Sequence, residues 1–332
     1  MIVTEKRVHE LRADRVGIAW SSALPIFASE PFLKSVGDDY GWLGGRDQNG
    51  GLRCVLPYTI IRKAGFKMVR FRVETIAWER ELAVVEEKSF LNSAIEYFRS
   101  LGADMVIPAN NTALFRVYPD GAVVAPYGTY IKGLVRSEDI LWGELHADYR
   151  QNIRKAGKSG VRVKSGIEHL RNSYTLIADT LRRSGQSFRS EAQFYKMVSG
   201  LGDNVRIFVA EHQDVLQACM VCPFSQHGAY DWYSGTISKP VRGAMHMLVW
   251  EAMRQFREMG VKQFNFTGVR INPEAGSKQD GIRNFKMRFG GGLVQGYMWK
   301  YSFHSIKFAV YSAAEYLLMR GKTVRFGPAP QN

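Results

Sequence analysis

Three stretches combine residue types and spacings that can do chemistry. The densest is Arg150–Lys164 (RQNIRKAGKSGVRVK), with six basic residues, Lys155 among them, and no acid. On a helix, Arg150, Arg154 and Lys158 fall at i, i+4 and i+8. They form one stripe about 90° or more from the apolar Leu145, Tyr149 and Ile153. Like charges in such a row repel one another unless an anion neutralises them, and the bidentate guanidinium suits a diphosphate or a phosphate backbone. A plain solvated face is the other reading of the same row. The second stretch is Gly281–Gly292 (GIRNFKMRFGGG), where Phe285 and Phe289 flank Lys286. A lysine held against rings supplies a fixed positive charge where an oxyanion develops in acyl transfer. Phe285 is suited to stack on a base or sugar, and the glycines allow close backbone approach. Aromatics beside glycines equally make ordinary strand turns. The third runs from Tyr230–Gly235 (YDWYSG), which includes Tyr233, through Lys239–Ala244 (KPVRGA) into a helix. There Gly243, next to Arg242, offers backbone N–H groups to a phosphate, without the glycine spacing of a P-loop or dinucleotide loop.

The elements that must position these residues alternate along the chain. Leu52–Leu56 and Lys67–Val73 read as paired strands, with Arg62–Gly65 as the turn. Ser89–Leu101 reads as a helix with Phe90, Ala94, Tyr97 and Phe98 on one face and Gly102 as its stop. The strand Asp104–Ile107 follows. Trp142–Lys158 has helical spacing throughout, as do the helices marked by Phe194–Leu201 and Met245–Met259. Strands are expected at Val205–Ala210, Leu216–Pro223, Ala229–Ser234 and Val261–Phe266. Helix–Gly–strand occurs at Phe98–Ile107 and again at Phe256–Phe266, hinting at a duplicated unit. The alternation indicates an α/β architecture. With 128–140 as the best internal boundary, two domains are expected, 1–135 and 136–332, with the chemistry in the second.

Composition narrows the class. The chain has 332 residues, 45 Lys+Arg against 31 Asp+Glu, and a formal net charge of +14, which favours polyanionic partners: nucleic acid, a phosphorylated ligand or an anionic membrane face. Three cysteines exclude a disulfide-stapled secreted scaffold. No apolar run reaches the roughly 18–20 residues of a bilayer span, and the charged start does not read as a signal peptide. A cytoplasmic location is expected. Cys219 and Cys222 have CxxC spacing, but i and i+3 of a strand face opposite ways, so both read as core. Scattered histidines give no metal motif, and no metal is expected. The apolar helix Ile306–Met319, interrupted by Glu315, is expected to dock on the core rather than on a membrane.

Taken together, the Arg150 segment, Tyr230–Gly235, the helix beginning at Gly243, the strand Phe264–Val269 and Phe285–Gly290 resemble the Fem family of non-ribosomal aminoacyl (peptidyl) transferases. The resemblance runs from about Phe27 to Trp299. It implies two acetyltransferase-like (GNAT) units, each a mixed central sheet flanked by helices, here without the coiled-coil arm. It also implies transfer of an amino acid from aminoacyl-tRNA to an amine of a cell-wall or envelope precursor, with no tightly bound cofactor. Lys286 would stabilise the tetrahedral intermediate. Phe285, Phe289, Arg242 and Gly243 would serve the donor, and Phe285 would pack on the terminal adenosine. Arg150, Arg154, Lys155 and Tyr233 would face a phosphorylated or nucleotide-linked acceptor. The alternative donor is acetyl-CoA or another acyl-CoA, although Arg242-Gly243-Ala244 departs from the acetyltransferase cofactor loop. Asn110 and Asn111 stand near an acidic site position of some members, and no role is carried over to them. Expected partners are tRNA, the acceptor and, peripherally, the anionic inner face of the membrane.

Overall fold

The computed structural model describes residues 10–109, 111–318 and 326–328. The start before Glu10, Asn110 and Met319 lie outside the described residues. In chain order the first elements are β1 (Arg12–Val16), α1 (Glu30–Val36), β2 (Asp39–Arg46), β3 (Leu52–Lys63), β4 (Phe66–Phe71) and β5 (Ile76–Ala77). Next come α2 (Val84–Ser100), β6 (Met105–Val106), β7 (Val123–Gly133), α3 (Glu138–Gly143), α4 (Ala147–Lys158) and β8 (Arg162–Ser165). Then follow α5 (Leu170–Arg183), α6 (Glu191–Ser199), β9 (Val205–His212), β10 (Val215–Pro223), β11 (Ala229–Tyr230) and β12 (Tyr233–Thr236). The last are α7 (Ala244–Glu258), β13 (Gln263–Val269), α8 (Lys278–Met287), β14 (Gly292–Ser302), α9 (Ser305–Leu318) and β15 (Gly327–Pro328).

Two compact units emerge, and neither is continuous in sequence. Unit 1 comprises residues 1–20, 36–128 and 295–332; unit 2 comprises 21–35 and 129–294. One break between the units falls at 128/129. The return of 295–332 to unit 1 differs from the expected division at 135/136, because β14 pairs antiparallel with β6, Tyr301 opposite Val106. No local pattern announces a partner so far away in sequence.

In unit 1, β1 to β4 form an antiparallel meander, and β6 joins β4 in parallel. The β3–β4 turn carries Ala64 and Gly65, both at positive φ, as a tight hairpin requires. Helix α2 buries Phe90, Leu91, Ala94, Ile95 and Phe98 against Leu43, Cys54, Leu56 and Tyr58. Its end has Gly102 at positive φ, with Gly102 N–H donating to Arg99 O and Ala103 N–H to Phe98 O. In unit 2 the end of α7 repeats this closure: Gly260 N–H donates to Arg257 O and Val261 N–H to Phe256 O. Both are Schellman caps that turn a helix directly into a strand, so the expected helix–Gly–strand unit is present in each half.

Unit 2 holds an antiparallel sheet of order β12-β10-β9-β8. Its two faces follow the period-two alternation of β10: Ala218, Met220 and Cys222 face the α7 side, and Cys219 and Val221 face α5 and α6. The CxxC cysteines therefore lie on opposite faces, and burial raises both thiol pKa values. Each unit is a mixed α/β structure, as expected. The longest described helix, α2, has 17 residues, so no coiled-coil arm occurs among the described residues. Trp142–Lys158 is two helices rather than one. Ser137 Oγ accepts from Ile140 N–H to start α3, and His146 Nδ1 accepts from Asp148 N–H to start α4. Histidine is not among the common helix caps, so the sequence hides the corner.

Candidate active site

The site is built where two parallel strands part. β11 and β13 pair at Ala229/Phe264 and Tyr230/Asn265, and Asp231 N–H still donates to Asn265 O at 2.9 Å. At Trp232 the backbone changes partner, its N–H turning to Val221 O of β10. β13 answers with a kink: Thr267 has φ +57°, strained for a β-branched residue. Asn265 Oδ1 holds that kink, accepting from Thr267 N–H and from the Thr129 hydroxyl, both at 2.7 Å. The Thr267 hydroxyl donates to Asp231 O at 3.0 Å.

Lys286 reaches two backbone carbonyls at the kink. Phe285 and Lys286 occupy the last turn of α8, which Ser277 caps by accepting from Asp280 N–H. Their place is thus a helix terminus, where a cation also complements the helix dipole, rather than a strand turn. Lys286 is 9% exposed, and its Nζ donates to Gly268 O at 3.0 Å and Thr267 O at 3.3 Å. Burial lowers its pKa to about 8, against the pull of the Asp231 carboxylate. Asp231 is itself buried; desolvation raises its pKa, while Lys286 and the Ser234 hydroxyl, which donates to it, oppose the rise. The arrangement is a buried cation and anion at the end of a splayed strand pair.

An aromatic cluster stands beside the lysine. Phe285 is half-buried, with Tyr149, His246 and Phe289 rings 5.8, 5.4 and 5.2 Å away. Tyr149 donates to Phe285 O at 3.3 Å, and burial pushes its phenol up to about 12. His246 meets the Tyr149 ring edge-on at 4.2 Å. Burial and, second, the Arg242 charge push its pKa down to about 4, so it is a neutral imidazole at neutral pH.

The remaining expected residues divide. Phe289 is fully buried and stacked on Phe266 at 5.3 Å; it belongs to the core and offers no face to a donor. Gly243 opens α7 at φ +88°, and a Cβ there would lie 2.2 Å from Asn152 O. Its glycine is required for α4 to approach α7, not for a ligand. Arg242 is exposed, with Nε donating to Asn152 Oδ1 at 3.0 Å. The close approach of Gly290 and Gly291 is likewise internal, toward the Glu144 and Ile131 backbones.

Arg150 donates to Gly143 O at 2.8 Å and to Leu145 O, closing the C-terminus of α3, so its guanidinium is largely committed to structure. Arg154 lies over the Trp142 ring at 5.5 Å, and Lys155 and Lys158 are exposed on α4. Tyr233 joins a different cluster: its hydroxyl accepts from Arg189 at 3.0 Å, among Phe188 and Phe194. Asp231, Thr267, Asn265 and His246 complete the site without having been singled out by sequence. Asp231 alone had a visible signal, as the lone acid in an aromatic strand end. Among the described residues no group of three or more His, Cys, Asp and Glu could hold a metal ion.

The FemAB family model matches residues 121–215. That segment is similar to the FemAB family. The chain shares its fold with solved structures. FemX aligns with a TM-score of 0.62 at 12% identity, covering 90% of this chain and 99% of that one. The C-terminal domain (DUF2156) of a putative lysylphosphatidylglycerol synthetase from Agrobacterium fabrum aligns at 0.52 and 13% identity, covering 90% and 94%. A conserved protein of unknown function from Bacteroides thetaiotaomicron aligns at 0.51 and 11% identity, covering 83% and 90%. At such identities these likenesses speak to fold. No curated protein sequence matches the chain.

Proposed function

We propose that the protein transfers an aminoacyl group from aminoacyl-tRNA to an amine of a cell-envelope precursor. The observation that carries this reading is the buried Lys286 ammonium, held on backbone carbonyls near Asp231, in a chain whose residues 121–215 match the FemAB family model. The likeness to FemX and to a lysylphosphatidylglycerol synthetase domain supports it. So does the +14 charge, which suits a polyanionic donor.

In the reaction the acceptor amine attacks the ester carbonyl. Negative charge gathers on the carbonyl oxygen, and collapse breaks the carbon–oxygen bond to the tRNA ribose. The amine proton passes to the ribose oxygen. Lys286, about nine-tenths protonated at pH 7 for a pKa of about 8, supplies fixed charge for the oxyanion without reorganisation. The acceptor amine and the leaving oxygen handle the proton, and His246 stays neutral beside Phe285. Phe285 has its half-exposed ring for the donor's terminal adenosine. Arg154, Lys155 and Lys158 present one basic surface to the acceptor's phosphates.

The test is transfer from charged tRNA and, separately, from acyl-CoA, with the donor affinities titrated at two salt concentrations. Donor binding that weakens by orders of magnitude between about 50 and 200 mM salt, for charged tRNA alone, supports the reading. Saturable, salt-insensitive acyl-CoA binding with turnover refutes it and makes the protein a CoA-dependent acyltransferase.

A further inference from the structure

Helix α9 is apolar on both sides, a pattern normally reserved for fully buried helices. Its inner face is accounted for within unit 1. Phe308 and Tyr311 pack against Met68, Met105 and Ile107, and Glu315 pairs with Lys300 at 3.1 Å. The outer face has no such partner among the described residues. Ile306 is 81% exposed, Val310 55%, Tyr316 63% and Leu317 74%. Ile306, Val310, Ala313 and Leu317 recur at i, i+4, i+7 and i+11, one continuous stripe along the helix. The expectation that this helix simply docks on the core is thus half met.

We propose that the outer face of α9 lies in the plane of an anionic membrane surface, with the β3–β4 hairpin tip as its electrostatic contact. Lys307, at the start of α9, joins the two: its Nζ donates to Gly65 O at 3.5 Å and pairs with Asp104 at 2.7 Å. Beside Gly65 the hairpin presents Arg62 and Lys63, both exposed, with no ion-pair partner among the described residues. An apolar stripe flanked by free cations matches the acyl boundary and headgroup layer of an anionic bilayer. At 14 residues the helix is about 21 Å long, too short to cross, and no described helix is long and apolar enough to do so. It therefore lies along the surface. A second copy of the chain fits less well. One helix face of about 21 by 10 Å offers roughly a quarter of the ~800 Å² that each partner contributes to a standard interface.

The experiment is vesicle flotation of the full-length protein, independent of any aminoacyl donor. Vesicles of phosphatidylcholine containing about one third phosphatidylglycerol are compared with phosphatidylcholine alone. Binding to the anionic vesicles only, weakened by salt, is expected. Ile306→Ser with Leu317→Ser should lower partitioning about tenfold or more, and Arg62→Ser with Lys63→Ser by about tenfold. All four side chains are exposed, so circular dichroism should show an unchanged fold, and transfer to a soluble acceptor should persist. Absence of anionic-vesicle binding, or binding indifferent to both double variants, overturns the proposal. Self-association relieved by Ile306→Ser/Leu317→Ser without vesicle binding also overturns it, and assigns the stripe to a second copy.

Discussion

Asp231→Asn isolates the charge that keeps Lys286 protonated. Asparagine preserves the shape and still accepts from the Ser234 hydroxyl, but removes the one interaction that raises the Lys286 pKa against burial. An opposite charge within a few ångströms of a buried group typically supports its pKa by one to three units. The wild-type rate should fall as pH rises through about 8, as Lys286 loses its proton. In the variant this alkaline limb should move down by about one to three pH units. At pH 8 a one-unit displacement cuts the charged fraction about fivefold, and two units about fiftyfold. The assay is single-turnover aminoacyl transfer across pH 5.5–9 with saturating donor, and acid pH should restore much of the variant's rate. An unmoved limb refutes the coupling. A uniform loss at every pH reassigns Asp231 to positioning of Thr267.

Lys286→Met retains the buried stem but removes the charge, and should cut the transfer rate about 10²–10³-fold with donor affinity unchanged; an equal fall in affinity would count against an oxyanion role. His246 carries a folded pKa near 4 against an ordinary value of 6.5. The unfolded chain therefore binds its proton first, and stability falls as pH drops from about 6.5 to about 4. The loss is on the order of 2 kcal/mol after allowing for its partial exposure, and His246→Phe should flatten that limb in denaturant titrations. Gly243→Ala places a Cβ 2.2 Å from Asn152 O at φ +88°, so a loss of about 3 kcal/mol or more is expected from thermal melts. Neutralising Arg154, Lys155 and Lys158 together should weaken a phosphorylated acceptor and leave donor KM unchanged; no change in the acceptor KM would place its phosphates elsewhere.

Much of this was legible in the sequence, because its cues are local. The Gly102 and Gly260 caps, the alternating faces of β10 and the α4 stripe all follow from periodicity and backbone preference. The phenylalanine–lysine pair was legible as chemistry but not as geometry: it lies in the last turn of α8, and Lys286 meets the Thr267 and Gly268 carbonyls of a strand distant in sequence. Arg150 read as a ligand because sequence cannot show that the corner at 144–146 leaves α3 carbonyls to be satisfied. Gly243 and Gly290 read as ligand cradles for the same reason: the close neighbour of each is the protein's own backbone. Asp231 and His246 acquire their perturbed pKa values from burial, which depends on segments far apart along the chain.

The division of the chain also dictates an order of assembly during synthesis. When residue 294 leaves the ribosome, every segment of unit 2 has been made, whereas unit 1 still lacks the strand that pairs with β6. Unit 2 can close around Lys286 while the meander of unit 1 waits with an open sheet edge, the kind of surface that nascent chains mispair. The late-made segment supplies Trp299, which is buried among Phe71 and Phe115, so completing the edge and completing the unit 1 core are one event. The unit that holds Lys286 and Asp231 is ready before the unit that is begun first.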